Sequence, residues 1–339
     1  MSNMLIHILP AIGASLLIHL IIHEAGHLLG GLLTGWRFLH LQVNHIAVVR
    51  HMKGIRFKFL PSINYQCIMY PRTIETGARV YTMSGCWMNM LLAFLGLIGI
   101  LFRCGDMVLW VYSWCFFVSG IGFYLMNGIP NTKRLCNDKA CCRLLKMDSI
   151  TRQCHNAQLI IAKCLGEGMT YKWIGEELIC LSGDLADNDI LAYQAVLEYY
   201  YHLETGNHER MIHALEMIDL KASISNEVMD IIALERLYSE LVISIVNRMN
   251  KPIESKKYLN DINAYICKHK IGGDVHSFRV KATYDAYECA IRENPECSHR
   301  IIDKAITDLM QMPCLYKGEK IFCVNQLIKV KDSITSIII

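Results

Sequence analysis

The sequence predicts an α-helical membrane protein: a three-span core with a small membrane-associated β-sheet, followed by an all-α C-terminal domain of helical hairpins. Of its 339 residues, 53% are hydrophobic and the mean hydropathy is +0.26, too apolar for an ordinary soluble chain. Three apolar runs, at 5–34, 80–102 and 107–126, are each long enough to cross a hydrocarbon core of about 30 Å. From about residue 149 the pattern changes to amphipathic stretches with no further span.

These shifts divide the chain into a first span at 1–35, a β-rich insert at 36–79, two further spans with a connecting loop at 80–148, and a helical domain at 149–339. The net charge of +3 is small and no basic run is long, which argues against a nucleic-acid partner. Fifteen cysteines lie scattered through spans and helices without a framework, a usage that fits a reducing compartment.

The first run spans about 45 Å if fully helical, so the helix must tilt, bend near Pro10 or protrude. It is too long for a signal-peptide core and lacks a small-residue cleavage site ahead of His23, so it is expected to be retained. Gly26, Gly30 and Gly31 thin it for close approach by a neighbour. Its polar residues are Ser15, His7, His19 and the stretch His23-Glu24-Ala25-Gly26-His27. Residues four apart on a helix stand one above the other, so His23 and His27 can offer imidazole nitrogens to one zinc ion. Glu24 is placed to hold a zinc-bound water and take its proton. A carboxylate in a span is costly, about 2.5–3.5 kcal/mol on insertion scales, and marks function. His7 and His19 read as interface or packing histidines.

In the insert, 38–49 and 55–60 partly alternate in strand fashion, and 65–70 is a third short candidate between Pro61 and Pro71. Seven basic residues here face one acid, Glu75, which suits a sheet lying against a membrane surface. Spans two and three are joined by the turn 103–106. Three spans put the insert and everything after Asn127 on one side, and the Lys and Arg near the spans make that side cytoplasmic.

A catalytic zinc keeps a position for water and needs a third protein ligand, commonly a carboxylate. Asp138 emerges on the face towards which His23 and His27 are displaced, Glu75 is a reserve on the same side, and Asp106 lies across the bilayer. Cys136, Cys141, Cys142 and His155 could assemble a second metal site. The helical domain is sketched as helices at 156–165, 190–203, 208–217, 226–248, 253–269, 277–292, 298–310 and 320–331, with turns at Gly206-Asn207 and Asn294-Pro295. Their pairing loosely follows a tetratricopeptide-like (TPR-like) spacing, with a plain helical bundle as the alternative.

At this point the chain resembles the site-2 protease family of intramembrane zinc metalloproteases (peptidase M50-like). The likeness covers roughly the first 145 residues and rests on an ordered set. HEAGH lies in a span, a β-rich insert follows, Gly85-Cys86-Trp87-Met88-Asn89 opens the next span, and Asn127-Gly128-Ile129-Pro130 precedes Asn137-Asp138. The resemblance implies one Zn2+ per chain held by His23, His27 and Asp138, with Glu24 as general base. It implies an active-site role for Asn89, facing substrate or the tetrahedral oxyanion. It implies a sheet edge that pairs with an unwound substrate, here Asn64, Tyr65, Gln66, Cys67, Ile68, Met69 and Tyr70. Asn127 and Asn137 stand behind the ligands, and Asn137 could replace Asp138.

The departure is Lys139 where the family has glycine after its aspartate, together with a longer Pro130–Asp138 spacing similar to a bacterial variant found near small-peptide genes. The expectation is therefore a metalloendopeptidase in a bacterial plasma membrane, its helical domain cytoplasmic, cutting a membrane-spanning or membrane-associated substrate in small-peptide maturation or regulated signalling. The helical domain would bind a cytoplasmic partner or a second copy. A catalytically inactive scaffold and a membrane carrier are the alternatives. Intact His23, Glu24 and His27 argue against the first, and three spans without an internal repeat against the second.

Overall fold

The computed structural model describes residues 2–51, 54–102, 106–131, 137–181, 186–219, 222, 224–246, 274–291 and 295–338. The expected helix at 253–269, Cys136, the turn residues 103–105 and Asn294 lie outside them. The chain divides into two compact units, Met1–Phe57 with Ile63–Ile160, and Lys58–Ser62 with Ile161–Ile339.

In the first unit, α1 (Ser2–Leu33), α2 (Arg79–Leu101) and α3 (Met107–Gly128) pack against one another. All three are long and apolar enough to cross a membrane. They form because apolar side chains are uninterrupted for six turns or more, and their outer faces stay exposed at Leu9, Leu17, Leu29, Phe94, Leu95 and Val118. The 32 residues of α1 extend about 48 Å, so this helix overshoots a bilayer core. Asp106 caps α3 by accepting from Leu109 N at 3.0 Å. The α1–α2 crossing is close: a Cβ on Gly26 would lie 2.6 Å from the Ser84 carbonyl oxygen, so only glycine fits.

Two strands, β1 (Arg37–His51) and β2 (Gly54–Tyr70), make a two-stranded sheet. Three short strands were expected, with Pro61 as a break, but β2 runs straight through it. The reason is register. The backbone N–H groups of Tyr65, Cys67 and Met69 bond to side chains, not to β1. Counting back in twos puts Pro61 on that same outer edge, where a missing N–H costs no ladder bond.

Asp138 is the first residue of α4 (Asp138–Met147), and Asn137 is its N-cap. Next, α5 (Ser149–Gly166) is tied to the segment after β2 by Asn156 Nδ2, which donates to the Ile74 and Thr76 carbonyls at 2.7 Å each.

From Ile161 on, the described residues of the second unit form helices and turns, with a bridge between Ala186 and Ile218. A 3-10 turn (Tyr171–Trp173) and the short α6 (Glu176–Ile179) lead into α7 (Asp189–Thr205), which is buried on almost every face. Gly206, with φ +80°, ends α7, and Asn207 caps α8 (His208–Glu216) as its sequence predicts. There follow α9 (Asn226–Val246), α10 (Val275–Ile291), α11 (Pro295–Gln311) and α12 (Lys317–Ile338). Helices of 9, 21, 17, 17 and 22 residues set no fixed repeat among the described residues, so the arrangement is an irregular helical one.

Candidate metal centre

Helix α1 carries His23 and His27 on one face, as their spacing requires, and α4 brings Asp138 up to them. The three donor atoms form a nearly equilateral triangle. His23 Nε2 and His27 Nε2 are 3.3 Å apart, and Asp138 Oδ2 is 3.2 Å from the first and 3.4 Å from the second. All three residues are buried or nearly so.

The outer hydrogen bonds show which atoms carry protons. The Tyr81 carbonyl lies 2.8 Å from His27 Nδ1. A carbonyl only accepts, so His27 is protonated on Nδ1 and a neutral ring presents a lone pair at Nε2. On the other side, His19 Nε2 lies 3.0 Å from the Phe116 carbonyl, so a neutral His19 presents its lone pair at Nδ1. Asn89 stands between, its Oδ1 3.1 Å from His19 Nδ1 and its Nδ2 3.0 Å from His23 Nδ1. A neutral His19 is matched instead by the exchanged amide, with Nδ2 towards His19 and Oδ1 towards His23 Nδ1–H, a half-turn between two atoms of nearly equal size. With the amide so turned, His23 also offers a lone pair at Nε2.

Two lone pairs and a carboxylate oxygen therefore face one another with no proton between them. Two imidazolium ions inside a spanning helix would resolve the conflict at high cost, and one metal ion resolves it at once. Ligands about 2.0–2.1 Å from a tetrahedral zinc stand about 3.3 Å apart, which is the side of the observed triangle. The residues fit the ion.

Asp138 is held in place from several directions. Cys86 Sγ, one turn before Asn89 on α2, donates to Asp138 Oδ2 at 3.4 Å. Asn137 has no amide atom to spare for a metal. Its Oδ1 accepts from Ala140 N and Asn131 N at 3.1 and 3.3 Å, and its Nδ2 donates to the Met126 and Ile129 carbonyls at 2.8 and 2.7 Å. It fastens the start of α4 to the end of α3. Asn127 Nδ2 donates back to Phe123 O within α3 at 3.3 Å.

Glu24 is buried one residue from His23, and its Oε2 accepts from the Cys67 backbone N–H at 2.6 Å. Tyr81 Oη completes the link: it donates to the Cys67 carbonyl at 2.9 Å and accepts from Met69 N at 3.4 Å. Burial and the charge of Glu24 push the Cys67 thiol up to about 12, so that sulfur stays protonated. The nominated edge, Asn64 to Tyr70, is thus already bonded to the helices at Cys67 and Met69. Tyr65 N is capped by Asn64 Oδ1 at 2.9 Å, and Gln66 Nε2 meets His40 Nε2 at 3.2 Å. Ile68 and Tyr70 lie at the alternate positions of the same strand.

The reserve ligand Glu75 is engaged elsewhere, accepting from Gln153 Nε2 at 2.6 Å, and Asp106 is a helix cap. His19 is fully buried in the relay to His23, whereas His7 is only partly buried. Among the described residues Cys141, Cys142 and His155 do not gather into a metal group. Cys142 packs with Met83 and Cys86, and His155 Nδ1 meets its neighbour Asn156 at 3.4 Å. Tyr81 received no role from the sequence, Cys86 was noted only within the motif that opens the second span, and His19 was read as an interface or packing histidine. Tyr81 acts through its backbone oxygen, which leaves no residue-type signal. Cys86 and Asn89 at i, i+3 on one face of an apolar span did carry one.

No known protein family, curated protein or solved structure matches this chain. What stands is a His/His/Asp cluster suited to a metal ion, with Glu24 beside it, in a protein with three helices of membrane-spanning length.

Proposed function

We propose that the chain is an intramembrane zinc metalloendopeptidase of the site-2 protease type, hydrolysing a peptide bond in or near a membrane-spanning or membrane-associated substrate. The observation that carries this reading is the triangle of three metal-ligating atoms with a buried carboxylate, Glu24, next to one of them. His23, His27 and Asp138 would hold the ion. Zinc, when bound, supplies Lewis acidity towards a peptide carbonyl and lowers the pKa of water.

The remaining work falls to the chain's own groups. Glu24 takes a proton from the attacking water and passes it to the leaving amine. The Cys67 N–H holds one Glu24 oxygen in place. Asn89 and Tyr81 fix the two imidazole tautomers, and this positioning is the role we assign to Asn89. A substrate strand that pairs with β2 uses the edge ahead of Cys67, or displaces Tyr81 from it. We further place the helical domain on the cytoplasmic side, from the Lys and Arg flanking the spans, as a surface for a partner or a second copy.

The experiment is zinc content and cleavage of a synthetic membrane peptide by the detergent-solubilised protein, wild type against Glu24→Gln. Zinc in both with cleavage only in wild type supports the protease. Zinc in both with cleavage in neither leaves the scaffold reading, and no zinc uptake by wild type removes the metal site itself.

A further inference from the structure

The helical unit contains a second group of metal-ligating side chains, independent of the site above. Cys180, Glu198 and His202 bring one thiol, one carboxylate oxygen and one imidazole nitrogen within 4.8 Å of one another. Their placement follows from one stripe of α7. Gln194, Glu198 and His202 recur every four residues, so all three side chains face α6. Gln194 ends that contact at one side, its Nε2 donating to the Leu178 and Ile179 carbonyls at 3.2 and 2.6 Å. Cys180 follows directly as the C-cap of α6, with its own N–H bonded to Glu176 O at 2.8 Å.

In this stripe Gln194 is bonded through Nε2 but leaves its Oε1 without a partner. His202 leaves an atom open as well. It is 2% exposed, and its buried Nε2 has no hydrogen-bond partner. An orphaned ring nitrogen in such a place is destabilising. The atoms it faces are metal donors: Glu198 Oε1 lies 3.6 Å away, too far for a hydrogen bond but close to the spacing of two ligands on one ion, and the Cys180 sulfur is within the same cluster.

We infer that Cys180, Glu198 and His202 form a second, structural Zn2+ site that clamps the end of α6 to the last two turns of α7. Imidazole, carboxylate and thiolate together select a borderline-soft divalent ion over calcium or magnesium. A thiolate and a carboxylate balance the ion's two charges, and the thiol proton leaves to solvent on binding. The neighbouring charges, Arg210 and Glu176, are 3.3 Å apart and cancel one another at the rim. The clamp has a purpose: α6 has four residues, too few to hold itself, and is otherwise tied by Gln194, the Glu176–Arg210 pair and the burial of Ile179.

The test uses the whole protein in detergent, stripped and reloaded with Zn2+ or Co2+. Wild type is expected to hold two ions, and Asp138→Ala, Cys180→Ser and His202→Gln one each. Among the six ligands only Cys180 is a thiol, so the near-ultraviolet sulfur-to-cobalt absorption should survive in Asp138→Ala and vanish in Cys180→Ser. Should either substitution unfold the helical unit by circular dichroism, Glu198→Gln decides, with an expected loss of at least about tenfold in Zn2+ affinity at one site. Unchanged ion counts and an unchanged absorption in Cys180→Ser, or unchanged affinity in Glu198→Gln, would overturn the assignment.

Discussion

The two units bury charge in opposite ways. In the helical unit, Glu235 and Arg279 are both fully buried and form a set closed in charge. Arg279 Nη2 donates to both Glu235 oxygens at 2.6 and 2.7 Å, Tyr200 Oη donates to one of them at 3.0 Å, and the guanidinium lies 3.9 Å over the Tyr238 ring. Anion meets cation and both Glu235 oxygens are bonded, although Arg279 Nε and Nη1 have no hydrogen-bond partner. In the membrane unit, His23, His27 and Asp138 converge with no cationic side chain between them, and the Tyr81 carbonyl turns the His27 Nε2 lone pair inwards. A set closed in charge is a structural feature; an open set of like-natured donors marks a ligand. That distinction, more than burial or the mere presence of charge, separates a site from a core.

The comparison can be broken in several places. The largest effect is expected from His27→Ala, which should release the metal and reduce peptide cleavage to background, read by elemental analysis beside the assay. Glu24→Gln should keep the metal and lower the cleavage rate by about 10²–10⁴-fold, measured at saturating peptide.

In the closed set, Arg279→Met alone should destabilise the helical unit by about 3–5 kcal/mol in denaturant titration, because Glu235 is left charged and unpaired. Adding Glu235→Leu should restore most of that loss. No second substitution at Asp138 should restore metal to His27→Ala, and this contrast tests the distinction directly.

The relay offers a finer probe. Asn89→Leu and His19→Leu should each weaken zinc binding by about 10–100-fold in a chelator competition, with the helical content unchanged. The smallest change is Gly85→Ala. Its new methyl would lie 2.6 Å from His27 Nε2, and the expected cost is about 1–3 kcal/mol in thermal unfolding together with weaker zinc binding.

Much of the membrane unit was legible because lipid imposes a composition rule. The three helices fall within a few residues of the expected spans, and His23, Glu24 and His27 stand out as polar groups in an apolar run. Asp138 was reached from span topology, as a carboxylate emerging on the face of His23 and His27, and then from the ordered motifs of the resemblance, since it stands 111 positions after His27 and no local pattern encodes that contact. What stayed hidden was whatever the backbone does. The Cys67 N–H on Glu24 and the Tyr81 carbonyl on His27 could be supplied by any residue type at those positions. Pro61 misled for a related reason: it disrupts a strand only on the ladder side, and the side is a tertiary fact. In the helical unit periodicity located most helices, but the partner of Glu235 depends on packing between helices distant in sequence.

Tyr81 deserves a mechanical description. Its phenol grips the strand at Cys67 and Met69, its backbone oxygen grips the ring of His27, and its own ring is stacked on Trp36 with centroids 4.4 Å apart. A residue fastened at three points is a strut. A tug on β2 travels through it to one imidazole over the length of a single side chain, with no flexible joint along the way. The stiffness of the hairpin and the aim of the ligand are therefore one property, and a peptide that pulls on the strand also tunes the nitrogen that would hold the ion.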